Sequence, residues 1–224
     1  MHFTFDGLQV RVVPVTPFRQ NCSVLWNPET AEAVVVDPGG DADVLAQFLG
    51  QNNLTVSAII LTHGHLDHAG GVAPLCRILA ERQGKAPVVI GPDKRDEFLL
   101  SSIEKQAGHF GLSELENATA DEYSEDGQVL DLIGRKLHVL HVPGHTPGHV
   151  VFIDHAAKIV FAGDTLFKGA VGRTDFAYAD ESLLLNSIRE KLFSLDDGYI
   201  VVPGHGGHTT VGAERSGNPF FNAG

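Results

Sequence analysis

The sequence predicts an α/β protein built on two sheets. Short Val- and Ile-rich runs recur along the chain, helical periodicities separate several of them, and strand runs follow one another in both halves. A single wound sheet would alternate strand with helix throughout. Neighbouring strand runs in each half point to two sheets instead.

In chain order, LQVRVVPV, SVLW and AEAVVV read as the first strands, and VSAIIL and APVVI follow. Apolar residues at helical spacing mark helices over Ala42 to Gly50, Ala69 to Arg82 and Glu181 to Phe193. KLHVLHV, HVVFI, KIVFA and YIVV supply the strands of the second half. Gly91 to Gln128 is polar and acidic, with Phe98, Phe110 and Tyr123 scattered through it. It reads either as a surface excursion with short helices or as a wall or lid beside a site.

A chain of 224 residues is expected to form one domain, spanning 1–224. The formal charge of −12 and the absence of a long Lys/Arg run argue against nucleic-acid binding. An anionic substrate would therefore need a local positive site. No run approaches the roughly 20 apolar residues of a membrane span, and the opening segment lacks a basic leader and a cleavage site. The expected location is cytoplasmic, with no membrane partner. Cys22 and Cys76 are expected to be reduced thiols, Cys22 a small buried hydrophobe, and neither catalytic. No feature of the sequence sets an oligomeric state.

The chemistry concentrates in SAIILTHGHLDHAGGVAPL, where an apolar strand ends and His63, His65, Asp67 and His68 follow as His-x-His-x-Asp-His. Such a pattern arises by chance in roughly two of a thousand sequences of this composition, so it carries weight alone. In an extended loop the first two rings can project to one side, while Asp67 and His68 fall at a helix start, where backbone N–H groups favour a carboxylate. Imidazole and carboxylate donors without thiolates suit Zn²⁺, Fe or Mn²⁺ in a reactive site. Three later segments repeat an apolar strand running into glycine and a ligand type: VLHVPGHTPGH with His145, KIVFAGDTLF with Asp164, and YIVVPGHGGHTT with His205.

Those motifs, in that order from about Val10 onward, resemble the metallo-β-lactamase superfamily, and within it the short glyoxalase-II-like hydrolases. The resemblance implies an αββα sandwich with the ligand loops along one edge of the sheets. It places His63, His65 and His145 on one metal, Asp67, His68 and His205 on a second, and Asp164 between them. Two divalent ions are implied, zinc first, with Fe or Mn as alternatives. A water activated at the metals would attack a carbonyl, with Asp67 and Asp164 as the catalytic carboxylates. Two dications outweigh the carboxylates and a hydroxide, which suits an anionic substrate or oxyanion.

Other residues are weighed against blander roles. Asp37 in VVVDPGG is expected to orient a metal-bound histidine rather than merely close a turn. His149 and His208 are second-layer donors or plain loop contacts; His2, His109, His138, His141 and His155 are read as structural. Gly163, Gly204 and Gly206 are expected to permit tight turns.

The expected substrate is an anionic thioester, S-lactoylglutathione or another S-acylglutathione, with Arg173 and Lys168 holding it. GDTLFKGAVGRTDF also resembles persulfide dioxygenases, which use one iron, and lactone or other ester hydrolysis shares the same metal chemistry. The presence of both His68 and His205 favours the dinuclear hydrolase. The chain runs only about twenty residues past His205, without the C-terminal helical region by which longer glyoxalase II enzymes bind glutathione.

Overall fold

A computed structural model describes residues 1–222. The first half lays down β1 (His2–Phe5), β2 (Leu8–Val15), β3 (Gln20–Trp26), β4 (Glu32–Val36), β5 (Thr55–Ile60), β6 (Val88–Gly91) and β7 (Glu122–Tyr123) as one sheet in sequence order. The second half contributes β8 (Val129–Leu132), β9 (Arg135–His141), β10 (Val150–Asp154), β11 (Ile159–Gly163), a small hairpin of β12 (Leu166–Phe167) and β13 (Ala170–Val171), then β14 (Ile200–Pro203) and β15 (Thr209–Thr210). Its main sheet runs β15-β14-β11-β10-β9-β8. Every strand run expected from the sequence is present. The shortest strands carry too few residues to show a period.

The helices α1 (Ala42–Gln51), α2 (Leu66–Ala69), α3 (Val72–Gln83), α4 (Glu97–Leu100) and α5 (Ile103–Phe110) belong to the first half. In the second half, α6 (Glu181–Ser187) widens into a π-helical turn over Ile188–Leu192, and α7 (Val211–Gly217) and α8 (Pro219–Asn222) follow. Three apolar layers result. Leu8, Val10, Leu25 and Ile60 of the first sheet meet Leu137, Val139, Phe152 and Phe161 of the second between the sheets. Leu45, Leu49, Leu75 and Leu79 cover the outer face of the first sheet, and Leu184, Ile188 and Leu192 that of the second. This is the αββα sandwich of the metallo-β-lactamase fold, with Cys22 fully buried in its first outer layer.

The helix expected over Ala69 to Arg82 is instead two helices. Gly71 donates to the Pro38 carbonyl at 2.9 Å, and a Cβ there would strike Pro38 and Gly40, so the chain bends where the segment after β4 presses against it. Among the described residues no helix is long and apolar enough to cross a membrane.

Strand direction gathers the site. β4 and β5 are parallel, β11 and β14 are parallel, and β9 runs with β11 because both are antiparallel to β10. Asp37, the His63–His68 loop, His145, Asp164 and His205 thus follow the C-terminal ends of co-directed strands in each sheet. Asn21 ties the two edges together, its amide donating to the Gly204 carbonyl at 2.7 Å and its side chain to Pro203 and Gly206 at 2.9 Å each.

Candidate metal centre

All seven sequence-expected ligands converge. Ligand atoms of His63, His65 and His145 lie within 4.8 Å of one another, and those of Asp67, His68 and His205 form a second such group. Asp164 stands between the groups: Oδ1 is 3.3 Å from His68 Nε2, while Oδ2 is 3.8 Å from His145 Nε2 and 3.7 Å from His205 Nε2.

The surrounding hydrogen bonds decide which ring nitrogens face inward. His145 Nδ1 donates to the Arg173 carbonyl at 2.7 Å, leaving Nε2 with a lone pair. Thr62 donates its hydroxyl to Asp37 Oδ2 at 2.6 Å, so it accepts from His63 Nδ1 at 3.1 Å and again leaves Nε2 bare. Tyr178 engages His65 Nε2 at 2.8 Å and turns Nδ1 inward. The three inward nitrogens meet with His65 Nδ1 at 3.1 Å from each of the other two. With His65 Nε2 donating to the Tyr178 oxygen, three lone pairs converge, and these repel unless a cation sits among them.

The second group passes the same test. His68 Nδ1 donates to Asp37 Oδ2 at 2.9 Å, and the opposite Nε2 is buried without a hydrogen bond, as is Asp164 Oδ1. Two orphaned polar atoms at one buried point are costly unless something else binds them. The residues present therefore fit two cations, and Asp37 braces both groups, His68 directly and His63 through Thr62.

Charge divides between the groups. Burial, then neighbouring rings, pulls His63 well below the ordinary histidine range and His65 down to about 3. Burial likewise lowers His145. Those rings are neutral, the form that ligates. For His68 burial opposes the charged ring, but Asp164, Asp37 and Asp67 outweigh it and push the ring well up. His205 is raised in the same way, burial being overcome mainly by Asp67 at 3.1 Å. Asp164, although largely withdrawn from water, is held well below the carboxylate range by His68, then His145 and His205. The acid-rich group draws positive charge to itself, as a cation-binding group does.

Of the remaining expectations, Asp37 is placed as anticipated, buried against Thr62 and His68. His149 is buried behind the site, stacked on His63 at 4.7 Å, and its Nε2 accepts the Asp164 amide at 3.0 Å. His208 is a loop contact, exposed and packed edge-on against Phe3. His109, read as structural, stands outside both ligand groups and lines the cavity over them. Lys168, in the tight turn between β12 and β13, is exposed and is not among the residues lining that cavity. Arg173 lines the cavity, but its guanidinium is spread bidentately on Asp175 at 2.6 and 2.7 Å and lies 4.6 Å over the Phe176 ring.

The sequence did not reveal Asp96. Its buried carboxylate accepts from the Gly64 amide at 3.1 Å, the Thr146 hydroxyl at 2.6 Å and the Gly148 amide at 2.6 Å. It thereby clips the His63–His65 loop to the His145 loop. Burial pushes Asp96 up to about 6 against the pull of those donors. Asp96 lies in the segment Gly91 to Gln128, which serves as a wall: Gln106, His109 and Phe110 line the cavity.

Similarity searches agree with this geometry. A model of the metallo-beta-lactamase superfamily matches residues 15–205. The chain is 42% identical over 217 residues to hydroxyacylglutathione hydrolase GloC of Haemophilus influenzae, with 96% of this chain and 99% of that one covered. Among solved structures, BLEG-1 B3 metallo-beta-lactamase is 35% identical with a TM-score of 0.84, covering 95% of this chain and 99% of that one. TTHA1623 in a di-iron-bound form is 36% identical with a TM-score of 0.81, covering 94% and 99%.

Proposed function

The chain belongs to the metallo-beta-lactamase superfamily as a metal-dependent hydrolase, and from that premise we propose that it cleaves S-acylglutathione thioesters, S-lactoylglutathione among them, with water. The observation that carries the reading is the pair of three-residue groups sharing Asp164, with His68 Nε2 and Asp164 Oδ1 left orphaned between them. The similarity to GloC supports the substrate class. His63, His65 and His145 would hold one cation, Asp67, His68 and His205 the other, and Asp164 both. When bound, the two ions would supply Lewis acidity and lower the pKa of a water.

The chain's own residues do the rest. Asp37, Thr62 and the Arg173 carbonyl fix ring orientation, so inward lone pairs need no reorganisation. Leu66, Phe167 and Phe176 around the ligands keep bulk water from the reacting carbonyl. Outside the ligand set, the cavity lining offers, among the described residues, only His109 and Arg173 as ionisable groups. A thiolate leaves readily without a proton donor, unlike an alkoxide or amide, so this lining suits a thioester. Water adds to the carbonyl, the C–S bond breaks, and a carboxylate and a thiol are released.

A second reading follows from the relative named as a B3 metallo-beta-lactamase: ring opening of a β-lactam on the same floor. A relative solved in a di-iron-bound form supports weighing iron beside zinc as the metal. Protein loaded separately with zinc and iron is assayed for thiol release from S-lactoylglutathione, β-lactam opening, and oxygen uptake on glutathione persulfide. Thiol release without oxygen uptake is expected. Stoichiometric oxygen uptake tracking a single iron would replace the hydrolase with a dioxygenase.

A further inference from the structure

The cavity above the ligands measures about 830 Å³, and its wall is aromatic. Phe176 lies 4.9 Å from the His65 ring and 5.9 Å from His145, while Phe167 lies 6.4 Å from His205. Whatever is attached to a carbonyl held at the ligands meets these rings at once. Farther out, Phe18 and Phe110 close edge to face at 5.4 Å, joining the β2–β3 loop to the end of α5 across the cavity. Phe110 is 60% exposed, a large apolar surface left in water at the lining of a site.

Charge on the wall is scarce. Among the described residues Arg173 is the only lysine or arginine in the lining, and Asp175 already takes its Nε–Nη2 edge. A glutathione carrier brings two carboxylates and an amine. Moving such groups into an apolar interior without partners is strongly unfavourable, whereas at the rim they remain hydrated.

We propose that the aromatic interior takes the acyl half of the substrate, and that this half is a bulky apolar group, aromatic or branched, while the charged carrier stays at the rim beside Arg173. The inference rests on the thioesterase reading and narrows it. A small hydroxyacyl group leaves most of the wall unmet, whereas each additional buried methylene contributes about fourfold in affinity. Ring-on-ring contact with Phe18, Phe110 or Phe176 favours an aryl group further.

Two series test it on the metal-loaded protein. With glutathione held constant, kcat/KM is measured for acetyl, lactoyl, isovaleryl and phenylacetyl thioesters; with phenylacetyl held constant, glutathione is exchanged for N-acetylcysteamine. The proposal expects phenylacetyl to exceed acetyl by about tenfold or more, and the carrier exchange to cost less than about threefold. Phe110→Ala should lower the phenylacetyl value about fivefold more than the acetyl value. Binding of two inert thioethers, S-phenacylglutathione and S-acetonylglutathione, is measured by calorimetry, independently of turnover. Tighter binding of the phenacyl compound would uphold the apolar site; were no thioester cleaved, the thioesterase reading alone would be discarded. Equal binding of the two, a flat acyl series, or a preference for lactoyl would overturn the proposal while leaving that reading intact.

Discussion

His68 Nε2 and Asp164 Oδ1 face each other across 3.3 Å at full burial, each without a hydrogen bond. Attraction between an acid and a raised histidine holds the pair together, and a cation between them would satisfy both atoms. The purified protein is therefore expected to carry about two transition-metal ions per chain by elemental analysis. Asp164→Asn should retain about one or fewer and lose at least about a hundredfold in kcat. A fully active protein with a single tightly held ion would contradict the two-group arrangement.

Asp96→Asn replaces an acceptor-only carboxylate with an amide, one end of which must face a donor. The variant should lose about 1–3 kcal/mol of stability in urea melts. It should also weaken metal binding at the His63–His65–His145 group more than at the other. Cobalt titration followed in the visible spectrum separates the two sites. Equal weakening of both would mean that Asp96 acts only on overall stability.

The metal-free protein should be most stable near pH 6.5. His63, His65, His145 and His149 are depressed by burial, so their stabilisation is present above the unfolded value of about 6.5 and is lost as pH falls. His68 and His205 are raised, so theirs is complete below about 6.5 and is lost as pH rises through their folded values. Asp96, raised to about 6, partly offsets the acid loss: its contribution grows as pH falls from about 6 toward the ordinary carboxylate value, one group against four. Denaturant midpoints at pH 5, 6.5 and 8 check the curve. A steady rise toward pH 5 would refute it.

Arg173 and Asp175 form an exposed pair, with Asp175 held down to about 2 by the guanidinium. Arg173→Ala should then raise KM for an S-acylglutathione by no more than about fivefold and leave metal content unchanged. Asp175→Asn, which frees the guanidinium for a substrate carboxylate, should lower KM for the same compound. Steady-state kinetics on both variants decide the matter; a KM increase in Asp175→Asn would mean that the pair is needed intact.

The two-sheet fold and the convergence of the seven expected residues were legible because each falls in the loop or helix start that follows a Val- and Ile-rich strand, where local pattern and position coincide. Asp37 was legible for the same reason. Asp96 was not, because its partners Gly64, Thr146 and Gly148 lie 32, 50 and 52 residues away and two of them contribute only backbone amides. The split between α2 and α3 was hidden likewise: it arises from the approach of Pro38 and Gly40, which leaves the helical period of the segment unchanged. That Lys168 is exposed outside the cavity lining was not legible either, because proximity along the chain to Asp164 says nothing about which way a hairpin turn points.

The glycines packed among the ligand loops divide the molecule into a part that cannot vary and a part that can. A methyl group on Gly204 would collide with Asp164 and His68, one on Gly172 with the Asp164 backbone, and one on Gly39 with the Asp67 backbone. Any side chain at these positions would displace a ligand. Phe18 and Phe110 have no such neighbours in the ligand set; they belong to the β2–β3 loop and the end of α5. Substitutions there would change what enters the cavity without touching the floor. Selection acting on such a chain can exchange one hydrolysable compound for another while the cation-holding framework is inherited intact.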